Sequence, residues 1–138
     1  MEKINTEYLQ RCIDTLEKSY SLIKTVKEDS IDYEMYRNSL VKGLEITLEQ
    51  AGKLLKKRLI PYFPSKKSVD ELFFKDIFRH AGKHGLIDEE TVNRWCQYRN
   101  NRNNTAHDYG QKFAQETLSL IDDFLTDAKN LKMVIDNA

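Results

Sequence analysis

Glycine and proline are scarce in this chain, five and two in 138 residues. So little turn chemistry leaves no way to punctuate a many-stranded β fold. Cysteine is scarcer than a disulfide framework or a zinc cluster requires. Cys12 and Cys96 lie far apart, each beside apolar neighbours, and read as two buried free thiols. No apolar run approaches the ~18 residues that a membrane span needs. The opening M-E-K-I-N-T-E has no apolar signal core, so a cytoplasmic protein with no membrane association is expected. Excess charge of one sign is missing too. The 22 basic and 22 acidic residues cancel, which argues against a general nucleic-acid coat while leaving room for a local patch.

What is present suits one soluble helical domain over residues 1–138. Apolar residues make up 40% and charged residues 32%, a balance that can fill a core without staples. The apolar residues recur at spacings of three and four, the period of a helix face. Ile4, Tyr8, Cys12, Leu16, Tyr20 and Ile23 predict a first helix from about Thr6 to Lys27. Ser30 or Asp32 can cap a second, which carries Tyr33, Tyr36, Leu40, Leu44, Leu48, Leu55 and Leu59 inward and ends at Pro61 and Pro64. Ser68-Val69-Asp70-Glu71 has the pattern of a capping box and predicts a third helix, with Gly85 as its C′ stop. Asp88 can cap a fourth helix holding Val92, Trp95 and Cys96. A fifth is predicted from about Lys112 to Val134. The expected fold is all-α, an up-and-down antiparallel bundle of about five helices.

The densest chemistry lies in Tyr98 to Tyr109, Y-R-N-N-R-N-N-T-A-H-D-Y. Asparagine is a poor helix former because its side chain competes for backbone hydrogen bonds. Four of them late in a helix call for an explanation. Arginine suits bidentate phosphate recognition, and histidine exchanges protons near neutral pH, so the stretch points to a site that handles a phosphate group. Arg102 and His107 stand about 140° apart on a straight helix. They converge only if the helix breaks between them, for which Asn103, Asn104 and Thr105 are suited, or if a second subunit brings its own copy. A plain helix end, with Arg and His bonding exposed carbonyls, is the alternative reading.

Other clusters read more blandly. His80 and His84 have the i, i+4 spacing of a metal pair, but no Glu accompanies them and a solvated pair is the better reading. No metal or cofactor is expected. Lys53, Lys56, Lys57, Arg58, Lys66 and Lys67 run without an acidic residue among them. They suit a helix C-terminus, or a contact for phosphate backbone or an acidic partner. The chain has no Gly-rich phosphate loop, no G-x-S-x-G, and no Gly-Ser pair followed by spaced aspartates.

Arg102-Asn103, three residues, then His107-x-Tyr109 resembles the R-N-x-x-x-H-x-Y signature of HEPN-domain proteins. The segment F-F-K-D-I-F-R-H-A-G-K-H-G-L-I-D, then Trp95, then R-N-N-T-A-H-D-Y, is similar to the nucleotidyltransferase substrate-binding proteins, relatives of the HepT toxins. The likeness is sharpest from about Phe73 to Gly110. It implies a homodimer with the two signature motifs facing each other, and a separate minimal nucleotidyltransferase as partner in a two-component, toxin–antitoxin type system. On that resemblance the chain is a substrate-binding or partner subunit. Alternatively it is a metal-independent ribonuclease that uses Arg102, Asn103 and His107 on RNA and is neutralised by adenylate attached to Tyr109. In the binding reading the same residues contact nucleotide. Arg99, three residues before Arg102, competes with it for the family role, and spacing favours Arg102.

Overall fold

The computed structural model describes residues 3–105 and 111–137, and the side chains of these residues other than 102–105 and 111–115. Helix α1 spans Glu7–Ile23, α2 Ile31–Leu59, α3 Lys66–Asp70, α4 Phe74–Lys83, α5 Glu89–Thr105 and α6 Gln111–Asp136; a 3-10 turn, Ile60–Tyr62, follows α2. No strand occurs among the described residues.

Helix α2 organises the rest, because it packs against all five other helices. At 29 residues it is about 43 Å long. Its buried residues, from Tyr33 through Leu44, Leu48 and Leu55 to Leu59, supply the spine of the core. Ser30 starts it as expected, its Oγ accepting from the Tyr33 N–H at 3.1 Å. Leu59 ends it before Pro61, which occupies the 3-10 turn.

Cross-links fix the helix directions. Helix α1 runs antiparallel to α2, with Ser19 and Ser39 hydroxyls 2.8 Å apart. It also runs antiparallel to α6, since Thr6 Oγ1 donates to Asp136 Oδ1 at 2.6 Å while Tyr20 Oη reaches Asp122 Oδ2 at 3.1 Å. Lys129 pairs with Glu17 between these two contacts. Helices α4 and α5 form an antiparallel hairpin around Gly85, the one described residue with a positive φ, +73°.

Two expectations need correction. Helix α1 stops at Ile23, before Lys27. Both the N–H and the hydroxyl of Thr25 donate to the Leu22 carbonyl, at 3.0 and 2.6 Å, which tightens the chain into a turn. The third predicted helix is two helices. Ser68 does not cap it; Ser65 does, accepting from the Ser68 N–H at 3.2 Å, and Ser68 lies inside α3. Ser65 already has extended φ and ψ just after Pro64, so the helix begins three residues early. It ends after one turn, the chain extends through Phe73, and α4 starts with the Asp76 carboxylate accepting from the Phe73 N–H at 3.4 Å. The break lets the Phe74 ring lie on Gly52 of α2, where an added Cβ would come within 3.1 Å of the ring.

Gly85→Ala tests the α4–α5 turn. Nothing lies within 4 Å of an added Cβ, so only the backbone conformation resists the change. A loss of about 1 kcal/mol in urea-unfolding free energy is expected, with the denaturant slope unchanged.

Candidate functional site

Helix α5 carries the Arg/Asn-rich stretch as its C-terminal turns. It begins where Asp88 Oδ1 accepts from the Thr91 N–H at 2.8 Å, the expected cap, and it continues unbroken through Thr105. Of the two routes by which Arg102 and His107 could converge, a helix break is not made at Asn103, Asn104 or Thr105. Arg102 and Asn103 sit on the last turns of α5; their side chains lie outside the described residues, as do His107 and Tyr109 altogether.

A buried polar cluster holds this end of α5 against α6. Asp127 of α6 is 3% exposed, and Tyr98 is 2% exposed. The Tyr98 hydroxyl donates to Asp127 Oδ2 at 2.5 Å. Arg94 adds a two-pronged contact, Nε to Oδ2 at 2.8 Å and Nη2 to Oδ1 at 3.0 Å. Its Nη2 also reaches Thr91 Oγ1 at 3.0 Å. Three donors on one carboxylate compensate the charge where water does not reach. Burial first, then the bond to Asp127, raises the Tyr98 pKa far above the usual phenol range. The bond to Asp127 likewise holds Arg94 in its charged form. One turn further on, Asn101 Nδ2 donates to Thr117 Oγ1 at 3.2 Å, and both residues are buried.

Aromatic rings complete the support. Phe78 stacks on Trp95 at 4.7 Å, and Trp95, Tyr98 and Phe124 meet edge to face at 5.0 to 5.5 Å. Such pairs prefer these geometries and add to the burial of their area. The rings and the Asp127 cluster thus fix the azimuth of α5, and with it the direction in which the turn of Arg102 and Asn103 leaves the bundle.

On the outer side, the Arg99 guanidinium lies over the Phe74 ring, 5.2 Å from its centroid. Lys75 Nζ donates to Asn100 Oδ1 at 2.6 Å. Two of the four asparagines thus have structural partners: Asn100 ties α5 to α4 and Asn101 ties it to α6. Arg99 is engaged by an aromatic face three residues before Arg102.

The histidine pair is not simply solvated. His84 stacks on Tyr62 with ring centroids 4.2 Å apart, and His80 meets Phe63 edge-on at 4.9 Å. Among the described residues no group of three His, Cys, Asp or Glu could hold a metal ion. No helix among them is long and apolar enough to cross a membrane. Cys12 is buried, whereas Cys96 is half-buried.

Asp127 was missed by sequence reasoning. Its one signal is position: it falls between Phe124 and Leu131 on the inward stripe of α6, where a lone carboxylate calls for buried donors.

The comparisons with known proteins fit this architecture. The sequence model of a family described as nucleotidyltransferase substrate binding protein like matches residues 5–136. The chain belongs to that family of helical proteins. A relative from Haemophilus influenzae named "Probable ribonuclease HepT" is 28% identical over 134 residues, covering 94% of this chain and 90% of the relative. A solved Haemophilus influenzae structure, described as showing the fold of a substrate binding domain of a nucleotidyltransferase, superposes with a TM-score of 0.79. It is 26% identical and covers 95% of this chain and 98% of its own.

Asp127→Ala removes the acceptor of three buried or half-buried donors. A loss of about 2 kcal/mol or more in unfolding free energy is expected, because the Tyr98 hydroxyl is then stranded. Tyr98→Phe, which leaves Arg94 to Asp127, should cost less, about 1 kcal/mol. Equal losses in the two variants, measured by denaturant unfolding, would mean that the cluster does not hold α5 as described.

Proposed function

We propose that the chain is the substrate-binding, partner subunit of a two-component system whose other member is a minimal nucleotidyltransferase. The observation that supports this reading is the family match over residues 5–136, joined to a sequence with no Gly-rich phosphate loop and no Gly-Ser pair followed by spaced aspartates. The nucleotidyl-transfer chemistry then belongs to the other protein. This one contributes a helix, α5, that carries Arg102 and Asn103 on its last turns, and the set is completed by His107 and Tyr109, which follow it in the sequence. The working unit is a homodimer in which two copies of the set face one another, so that Arg102 of one subunit can meet His107 of the other.

In this arrangement Arg102 pairs with phosphate, Asn103 and Arg99 orient the nucleotide, and Tyr109 is the acceptor of adenylate. The tyrosine oxygen attacks the α-phosphorus of a nucleoside triphosphate held by the partner, pyrophosphate leaves, and the phenolic proton passes to a base. Co-expression with a minimal nucleotidyltransferase should add adenylate mass to the wild-type chain, read by intact-mass spectrometry, and Tyr109→Phe should abolish it. Adenylate retained on that variant would place the acceptor elsewhere.

A second reading is favoured by the name of the Haemophilus influenzae relative. In it the same residues form a metal-independent ribonuclease. His107 serves as general base toward a ribose 2′-hydroxyl or as general acid toward the leaving oxygen, and Arg102 stabilises the charge that develops on phosphorus. Two copies across the dimer supply both proton-transfer roles, so no metal is needed, and the growth arrest it causes makes it the toxin of the pair. Under this reading purified protein in EDTA cleaves RNA, and His107→Ala, still folded, is slower by at least roughly 100-fold. Equal cleavage by the two would remove His107 from the chemistry.

A further inference from the structure

A second surface, at the far end of α4 from the Lys75–Asn100 contact, combines the two chemistries that single-stranded nucleic acid requires. At the C-terminal ends of α2 and α4 the Tyr62 and His84 rings are stacked, 4.2 Å apart and 20° from parallel. Tyr62 is 41% exposed, and His84 is exposed beside it. An aromatic pair this open is not core packing. Arg58, one turn earlier on α2, has its guanidinium carbon 6.0 Å from the Tyr62 ring centre. Its Nε is enclosed and has no hydrogen-bond partner.

The chain on either side of Tyr62 carries charge of one sign. From Lys53 to Lys67 the chain has six basic residues and no acidic one. Lys56 is turned away, its Nζ donating to the Asp70 carbonyl at 3.2 Å. Lys57, Lys66 and Lys67 are exposed, and neither they nor Arg58 make an ion pair among the described residues. A helix end alone would account for Lys57 and Arg58, since cations favour that terminus. Lys66 and Lys67 lie beyond that helix end, on the single turn of α3, and are exposed. With Lys57 and Arg58 they leave four cations close in sequence to Tyr62 and available to an anion.

We propose that Tyr62 and His84, with Arg58, Lys57, Lys66 and Lys67, form a binding surface for single-stranded RNA. A nucleobase adds to the two-ring stack, and the flanking phosphates lie against the four cations. Stacking on aromatic rings tolerates any base, and phosphate contacts carry no sequence information, so the surface is non-selective. A protein partner of acidic surface would use the cations but has no need of the open ring pair. The surface is independent of the adenylate-acceptor reading of Tyr109. In the ribonuclease reading it holds the strand while the α5 motif acts.

The test is fluorescence anisotropy of a labelled single-stranded RNA of about 12 nucleotides, a length within the usual span of such sites, with the full chain across a salt series. Wild type should bind with affinity that falls as salt rises. Tyr62→Ala should weaken binding by roughly tenfold or more, and Tyr62→Phe, which keeps the ring, should restore it. Lys66→Gln with Lys67→Gln should lower the slope of log affinity against log salt by roughly 0.7 for each phosphate no longer neutralised. Lys18→Gln, an exposed lysine of α1, should bind like wild type, which separates this surface from surface charge in general. All four variants keep the core residues, and thermal melting checks that they fold. No RNA binding by wild type, or binding unmoved by the Tyr62 and lysine changes, overturns the proposal. Unmoved RNA binding with loss of nucleotidyltransferase co-purification would reassign the patch to that protein.

Discussion

The carboxylate of Asp127 is the group on which the arrangement of the candidate site depends. A charge this deeply buried is tolerated only when donors surround it, and the donors here come from one helix. Arg94 and Tyr98 stand four residues apart on α5, so both can reach α6 only when α5 is turned to one azimuth. The cluster therefore acts as a key. Apolar packing alone would let α5 rotate or slide by part of a turn at modest cost, because Phe78, Trp95 and Phe124 offer broad faces. The hydrogen bonds of Asp127 remove that freedom.

From that constraint the rest of the motif helix follows. With Tyr98 inward, Asn101 falls against Thr117, while Arg99 and Asn100 fall outward, on Phe74 and Lys75 of α4. Helix α4 is in turn placed by Phe74, whose ring needs the bare backbone of Gly52 on α2. A chain of contacts thus runs from the central helix through α4 to α5, and from α6 to the same helix on its other side. The asparagines that cost helix propensity recover part of it through these bonds, so the stretch stays helical through Thr105.

The motif turn and the aromatic stack differ in how they are built. The turn of Arg102 and Asn103 is held by helices on both flanks, which suits a site that must orient a reacting group. The Tyr62 and His84 stack sits near the ends of α2 and α4 and the start of α3, among long flexible lysines. That suits non-selective holding of a polyanion, where position along the strand need not be fixed.

The sequence by itself determined the helical class, the span of α2, the start of α5 at Asp88 and the stop at Gly85. Each of these rests on local chemistry: apolar spacing, a side-chain acceptor, or a backbone conformation that glycine adopts freely. The Arg/Asn/His/Tyr stretch was legible for the same reason, as a local departure from ordinary helix composition. Tertiary structure decided what depends on a distant partner. The division of the predicted third helix follows from Phe74 seeking Gly52 on a different helix. The continuation of α5 through its asparagines follows from Lys75 and Thr117. The histidines, spaced like a metal pair, are taken up by Tyr62 and Phe63, which no spacing rule connects to them. Asp127, one carboxylate on an apolar stripe, gains its meaning only when Arg94 and Tyr98 of another helix are brought to it.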